Sequence, residues 1–380
     1  MACFFFAFLA KQVLQVLNRF AICSVSSAEC FLHAVNMAEF KLLLVLIIFN
    51  LVLPAALSCS SQPSEPKSGQ KILIVTGYGP DETRQESTLI DVKNQNFNCD
   101  LPNYPIEVAY GVGGILSGEI PMVCGGIGRY RLSTPCYKLM PDQWIEAGEL
   151  SPGRISMGTG NLVIDGRLLL SGGDDDSDWV TTTQLIDTNA VTETRQDLPV
   201  KISTHCNVML NSTHYMVIGG QNTNHSYRAE TFIFDLVRGE WFDGPSMKVK
   251  RGFHGCARMV LGEKSIVWVT GGSDGEDHLL QSMEYLDLEN WDQGWKLGAN
   301  LPYGISMHSM VPSMDMKSIY ITGGEGNVLG EIHELQCQGS SPDSCMFKPL
   351  NGPFDGIKVK RYAHVALPIS DSLADKLCSE

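Results

Sequence analysis

Basic charge is scarce in this sequence: 28 lysines and arginines face 42 aspartates and glutamates, for a formal net charge of −14. Residues 1–58 hold three basic side chains (Lys11, Arg19, Lys41) and two acidic ones (Glu29, Glu39), so the remainder carries 25 against 40, or −15. A body that acidic excludes nucleic acid and anionic membrane surfaces as partners recruited by its net field. Charge of either sign is thin, at 18% of residues, whereas 44% are apolar and 37 are glycine, so a packed globular body is feasible. Beyond the N-terminus, glycine and short β-branched runs outweigh any helical period. There is no nucleophile elbow, phosphate loop or metalloprotease helix. Gly111-Val112-Gly113-Gly114 is no dinucleotide fingerprint, because no helical pattern follows it.

A membrane-length apolar run is missing too. Leu42 to Leu53 is almost wholly apolar, broken only by Asn50, but it falls short of the roughly 20 residues that a span needs. It follows Met37-Ala38-Glu39-Phe40-Lys41 and precedes Pro54-Ala55-Ala56-Leu57-Ser58, whose small residues suit a cut after Ser58. That is the grammar of a secretory signal peptide, with an uncleaved signal anchor as the alternative. Residues 1–36 fit no packed element, and translation is expected to start at Met37. Residues 59–70 are a Ser/Pro tether. The mature chain is thus expected to be extracellular, without a stable membrane span. Asn211-Ser212-Thr213 and Asn224-His225-Ser226 are then glycosylation acceptors at Asn211 and Asn224.

From Lys71 onward one pattern repeats. Apolar runs end in glycine at Gly77, Gly125, Gly172, Gly219, Gly271 and Gly323, and all but the first are doublets. The spacing is 47 to 52 residues. After each comes a polar loop and a second apolar strand, such as Cys136-Tyr137-Lys138-Leu139 or Phe232-Ile233-Phe234-Asp235. Trp144, Trp241 or Trp295 follows in three units, and a Leu-Pro, Ser-Pro or Gly-Pro turn closes each. Lys250 to Pro302 is the clearest unit. Such a small sheet has two apolar faces and cannot bury both alone, so copies must stack.

The doublets, the tyrosine-then-tryptophan order and the histidine-bearing first strands resemble the kelch-repeat family over roughly residues 71–368. The resemblance implies an all-β fold: a six-bladed β-propeller of four-stranded antiparallel blades. The first unit starts at its second strand, Ile72, and residues 359–368 supply a spare first strand. A C-terminal strand is therefore expected to close the ring, which removes the open edges. Residues 369–380 are left as a tail.

Four histidines occupy matching first-strand positions: His205, His254, His308 and His364. They could line the channel as metal ligands, and the family includes copper-radical oxidases resembling galactose oxidase. Yet a histidine here belongs to the ordinary repeat, bonding between blades, and no motif for the crosslinked tyrosine of those oxidases is present. No cofactor is expected. Acidic loops follow two doublets, with Asp174, Asp175, Asp176 and Asp178 in one and Asp274, Glu276 and Asp277 in the other. They match no calcium-loop spacing and read as solvated.

Nine cysteines remain after a cut at Ser58, so at least one is left as a free thiol or an intermolecular bond. Cys124 with Cys136 sits on neighbouring strands, and Cys337 with Cys345 flanks one hairpin; both read as disulfides. Cys99 with Cys378 could tie down the tail. Cys206 and Cys256 read as buried thiols. The pairing of Cys59, Cys99, Cys206, Cys256 and Cys378 stays open. The expected activity is non-catalytic binding of an extracellular protein or glycan. The binding surface is expected at the acidic loops, with Arg154, Arg251 and Arg361 near the strand ends. An extracellular copper-radical or carbohydrate-active enzyme is the alternative. An intracellular adaptor is argued against by the signal and by the lack of any appended helical region.

Overall fold

The computed structural model describes residues 71–79, 84–94, 96–128, 132–151, 153–154, 160–175, 177–275, 278–327, 330–350 and 360–379. The expected signal peptide and tether, Cys59, Asp176, Glu276 and Asp277 lie outside these residues.

The described chain folds as six four-stranded antiparallel sheets. Blade one contains β1 (Lys71–Val75), β2 (Thr88–Asp91) and β3 (Asn96–Asp100). Blade two is β4 (Val112–Leu116), β5 (Ile120–Cys124), β6 (Pro135–Leu139) and β7 (Trp144–Glu149). Blade three is β8 (Val163–Ile164), β9 (Arg167–Ser171), β10 (Thr183–Ile186) and β11 (Thr192–Arg195). Blade four is β12 (Cys206–Asn211), β13 (His214–Ile218), β14 (Thr231–Asp235) and β15 (Glu240–Asp243). Blade five is β16 (Gly255–Leu261), β17 (Lys264–Thr270), β18 (Met283–Asp287) and β19 (Lys296–Leu297). Blade six is β20 (Ser309–Pro312), β21 (Ile319–Thr322), β22 (His333–Cys337) and β23 (Cys345–Pro349). The last strand, β24 (Val365–Ile369), pairs with β1 in the register Val75↔Val365 to Lys71↔Ile369 and completes blade one. The molecule is a six-bladed β-propeller closed by its C-terminal strand.

The central strands are apolar on both faces because each face meets a different blade. In β1, Ile72 and Ile74 pack with Val311 and Tyr320 of blade six, whereas Leu73 and Val75 pack with Val123 and Leu139 of blade two. Six such cores lie between neighbouring blades all round the ring. The outermost strands are polar where they face water; β11 reads Thr-Glu-Thr-Arg and is largely exposed. The repeated tryptophans each cap the preceding blade. The indole N–H of Trp144 donates to the Pro102 carbonyl (3.1 Å), that of Trp241 to Gln196 (3.2 Å) and that of Trp295 to Pro245 (2.7 Å). A buried indole needs such an acceptor, which explains why a closing turn stands at this position.

Residues 371–377, expected as part of a tail, form helix α1 (Asp371–Leu377). Ser370 caps it by accepting from Leu373 N–H, and Leu373, Ala374 and Leu377 enter the core between blades one and two. Among the described residues there are four disulfides: Cys124–Cys136 and Cys337–Cys345 within single blades, Cys206–Cys256 between blades, and Cys99–Cys378 from blade one to the end of α1. Cys206 and Cys256 are thus no longer thiols, which corrects the sequence reading. Both lie on first strands of adjacent blades, as the repeat implies, and the ring brings those strands close enough to bond. Among the described residues, no helix is long and apolar enough to cross a membrane.

Candidate functional site: the doublet end of the ring

The glycine doublets define one end of the propeller. In every blade the second residue of the doublet donates its N–H to a carbonyl of the next blade. The donors and acceptors are Gly77 to Val108, Gly126 to Arg154, Gly173 to Ile202, Gly220 to Arg251, Gly272 to Ile305 and Gly324 to Arg361, at 2.7–3.0 Å. This ladder runs without a break round the ring. Glycine is required because the two strands touch: Gly272 has φ +90°, and a Cβ there would stand 2.5 Å from the Gly252 carbonyl oxygen. In blade one Thr76, at φ 61°, takes the first doublet position.

The three arginines expected on the binding surface lie beneath this ladder. Arg154, Arg251 and Arg361 are 1%, 0% and 3% exposed. Arg154 donates to the Thr182 carbonyl and to Gln184; Arg361 donates to the Thr76 and Glu86 carbonyls. Arg251 donates to the Gly271 and Ser282 carbonyls and makes a fully buried ion pair with Glu284 (2.9 Å). Arg251 and Arg361 clamp the end of the second strand of their own blade to the start of the third, in blades five and one, and Arg154 holds the start of the third strand in blade three. Their guanidinium groups cannot meet a partner.

The histidines link blades. Nε2 of His205 lies 3.1 Å from Ser171 Oγ, that of His308 2.8 Å from Thr270 Oγ1, and that of His364 2.9 Å from Thr322 Oγ1. In each case the hydroxyl comes from the residue just before the preceding blade's doublet. Burial pushes all three imidazoles down to about 3, helped by Arg251 at His308 and by Arg361 at His364. Burial, with Arg251 next, also holds His254 well below its ordinary range. These side chains are neutral structural ties at physiological pH.

Inside the ladder a second belt narrows the channel. Tyr110 N–H donates to Ala363, Ala363 to Met307, Met307 to Phe253, and Phe253 to Thr204, at 2.8–2.9 Å. All five residues have φ between 53° and 60°, a conformation that costs energy for side chains other than glycine and is held here by the belt. The belt aims Tyr110 of blade two and Phe253 of blade five at one another across the axis, with ring centroids 6.2 Å apart. Tyr110 Oη reaches Met307 Sδ at 3.0 Å. Together these side chains stopper the channel. The space they line with His308 and His364 is about 40 Å³, on the scale of one or two waters. Beyond it, toward the other end, a chamber of about 260 Å³ is lined by Met209, Met310, Met316 and Val208.

Above the stopper the mouth is aromatic. Tyr78 stands 5.4 Å from Tyr362 and 6.0 Å from Tyr110, so Tyr362, Tyr78, Tyr110 and Phe253 form a continuous half-buried arc. Burial, then Tyr78, Tyr362 and Glu325, hold the Tyr110 phenol above its ordinary value, so it remains a donor at neutral pH. Acidic residues stand on this end as well. Asp174 bridges to Trp179 and Ser273 to Gly252, which puts both acidic loops on the same end. Asp175 accepts from Ser177 N–H, Ser177 Oγ and Asp178 N–H, and these bonds, the Ser177 hydroxyl first, lower its pKa. Asp178 faces Lys201, and Asp274 is half-buried beside Gly275. Among the described residues, no group of three or more His, Cys, Asp or Glu is placed to hold a metal ion. The sequence reading missed the aromatic arc. Only Phe253 carried a signal, as the one aromatic among the residues that precede the first-strand histidines (Thr204, Phe253, Met307, Ala363); Tyr78, Tyr110 and Tyr362 stand at no such position.

Comparison with known proteins supplies the fold. No protein-family model matches the chain, and no curated protein sequence matches it. A solved structure described as "Structure of YjhT" aligns over 72% of this chain and 96% of that one, with TM-score 0.58 and 12% identity. At that identity the likeness carries the propeller architecture alone.

Proposed function

We propose that this chain is a secreted kelch-type propeller that binds an extracellular protein or glycan, without catalysis, on the doublet end of the ring. One observation carries the reading: the channel is stoppered by Tyr110, Phe253 and Met307, and outside the stopper lie an aromatic floor and, on the same end, the acidic loops. A broad floor suits an extended partner, whose sugar rings or side chains lie flat on tyrosine faces while hydroxyl or amide groups meet the carboxylates. Asp174, Asp175, Asp178 and Asp274 keep their place in this surface; Arg154, Arg251 and Arg361 leave it. The disulfides fit an oxidising compartment, and the signal-like N-terminus supports the same address.

The test is capture of extracellular proteins and glycans by the secreted chain, compared with a Tyr78→Ala, Asp174→Ala double variant. A retained partner that weakens at least about tenfold in the double variant supports the reading, since truncating a central contact costs that much or more. A partner indifferent to both substitutions overturns the location. Stoichiometric copper in the purified chain, together with alcohol oxidation, would replace the binding module with the copper-radical alternative.

A further inference from the structure

The end of the ring opposite the doublets carries a groove of about 490 Å³ between blades four and five. Its apolar wall is unusual for a water-facing surface: Phe242 is 40% exposed and Trp291 45%. Met216, Ile233 and Leu288 continue the wall, and Arg258 and Glu289 bring polar groups to it. Arg258 Nε is buried there with no hydrogen-bond partner among the described residues. On the rim of the same groove stands Asn211, the first residue of Asn211-Ser212-Thr213.

The turn holds Asn211 in one orientation. Its Oδ1 accepts from Thr213 N–H (2.9 Å) and Thr213 Oγ1 (3.0 Å) and lies 3.2 Å from His214 Nδ1. The amide oxygen is thereby used up, and Nδ2 is the atom left to react. His214 in turn meets Phe242 edge-on at 6.1 Å. The turn between β12 and β13 therefore links the acceptor amide, through His214, to the aromatic wall. The second acceptor differs: Asn224 lies in an exposed loop whose turn is held by Asn222, not by Asn224 itself.

We propose that an oligosaccharide attached to Asn211 Nδ2 folds back into this groove, its first sugars stacking on Phe242 and Trp291. The inference rests on the secretory reading above. Attachment requires a lipid-diphosphate-linked oligosaccharide. Its anomeric carbon–oxygen bond breaks, the carbon–Nδ2 bond forms, the diphosphate lipid leaves with the electron pair, and the proton that the amide nitrogen gives up passes to the released diphosphate. A pyranose has an apolar face for the indole and hydroxyls for the polar groups of Arg258 and Glu289 that line the groove, so the sugar covers the apolar wall.

The experiment uses the full chain made in a secretory eukaryotic host, with Asn211→Gln and Thr213→Ala as two independent ways to remove the sugar. Mass spectrometry of the Asn211 peptide reads occupancy, and iodide quenching of tryptophan emission reads cover. Of the six tryptophans, Trp291 is the most open, so quenching is dominated by it. Occupied Asn211, with quenching about twofold stronger in both variants and the difference abolished by Trp291→Ala, is the expected result. Asn224 occupied with Asn211 bare, or quenching indifferent to the sugar, overturns the inference and leaves the secretory reading standing. A chain that never enters the secretory route, with both sites bare, overturns both.

Discussion

His205, His308 and His364 each bind a hydroxyl one blade away, and that placement makes the ring sensitive to acid. In the unfolded chain an imidazole takes a proton near pH 6.5, a general value. Folded, these three hold out until about 3. Between those limits the unfolded chain binds more protons than the folded one, so each histidine removes about 1.4 kcal/mol of stability per pH unit as pH falls. Asp175, whose pKa is lowered first by the Ser177 hydroxyl, adds to the loss in the same direction at still lower pH. The urea midpoint is expected to be level above pH 7 and to drop steadily below 6.5, with a shallower drop in His308→Gln. A midpoint that stays level down to pH 4 would contradict the assignment of these residues as neutral ties. Residue type and spacing made the histidines legible. The arginines were misread because Arg251 looks like a loop residue until Ser282 and Glu284 are folded against it.

At the scale of elements, β24 and α1 decide whether there is a ring. β24 supplies the inner strand of blade one, and α1 seals the core between blades one and two. The Cys99–Cys378 bond then ties that end to blade one across 279 residues of sequence. Cys378→Ser is expected to cost about 2–4 kcal/mol, read as a lower urea midpoint under non-reducing conditions. Truncation after residue 357 removes the strand itself and is expected to unfold the whole body. Recovery of a monomeric, protease-resistant fragment ending there would refute closure as the source of stability. The need for a closing strand was legible because the first unit lacks its own. The helix was not, because seven residues carry too little periodicity to separate a docked helix from a tail.

Taken whole, the described residues form six cores, and none of them belongs to a single blade. Removing one blade exposes apolar surface on two neighbours, so partial unfolding has little to gain. Unfolding by urea is expected to be one transition, with far-ultraviolet dichroism and tryptophan emission superimposable. Separate midpoints for the two probes would show that some blades melt on their own. The same construction divides labour between the ends. The doublet end carries the stoppered, aromatic and acidic mouth, and the hairpin end carries the Asn211 groove.

The sequence alone determined the blade count, the closing strand and two of the disulfide pairs, because these depend on short-range periodicity and on glycines that permit backbone contact. Tertiary structure decided which residues are available to a partner. The Cys206–Cys256 bond and the meeting of Tyr110 with Phe253 arise between blades, and Arg154, Arg251 and Arg361 are buried when the strands of their own blades fold against them. Residues far apart in the chain become neighbours only when the ring closes, and no local pattern encodes that distance.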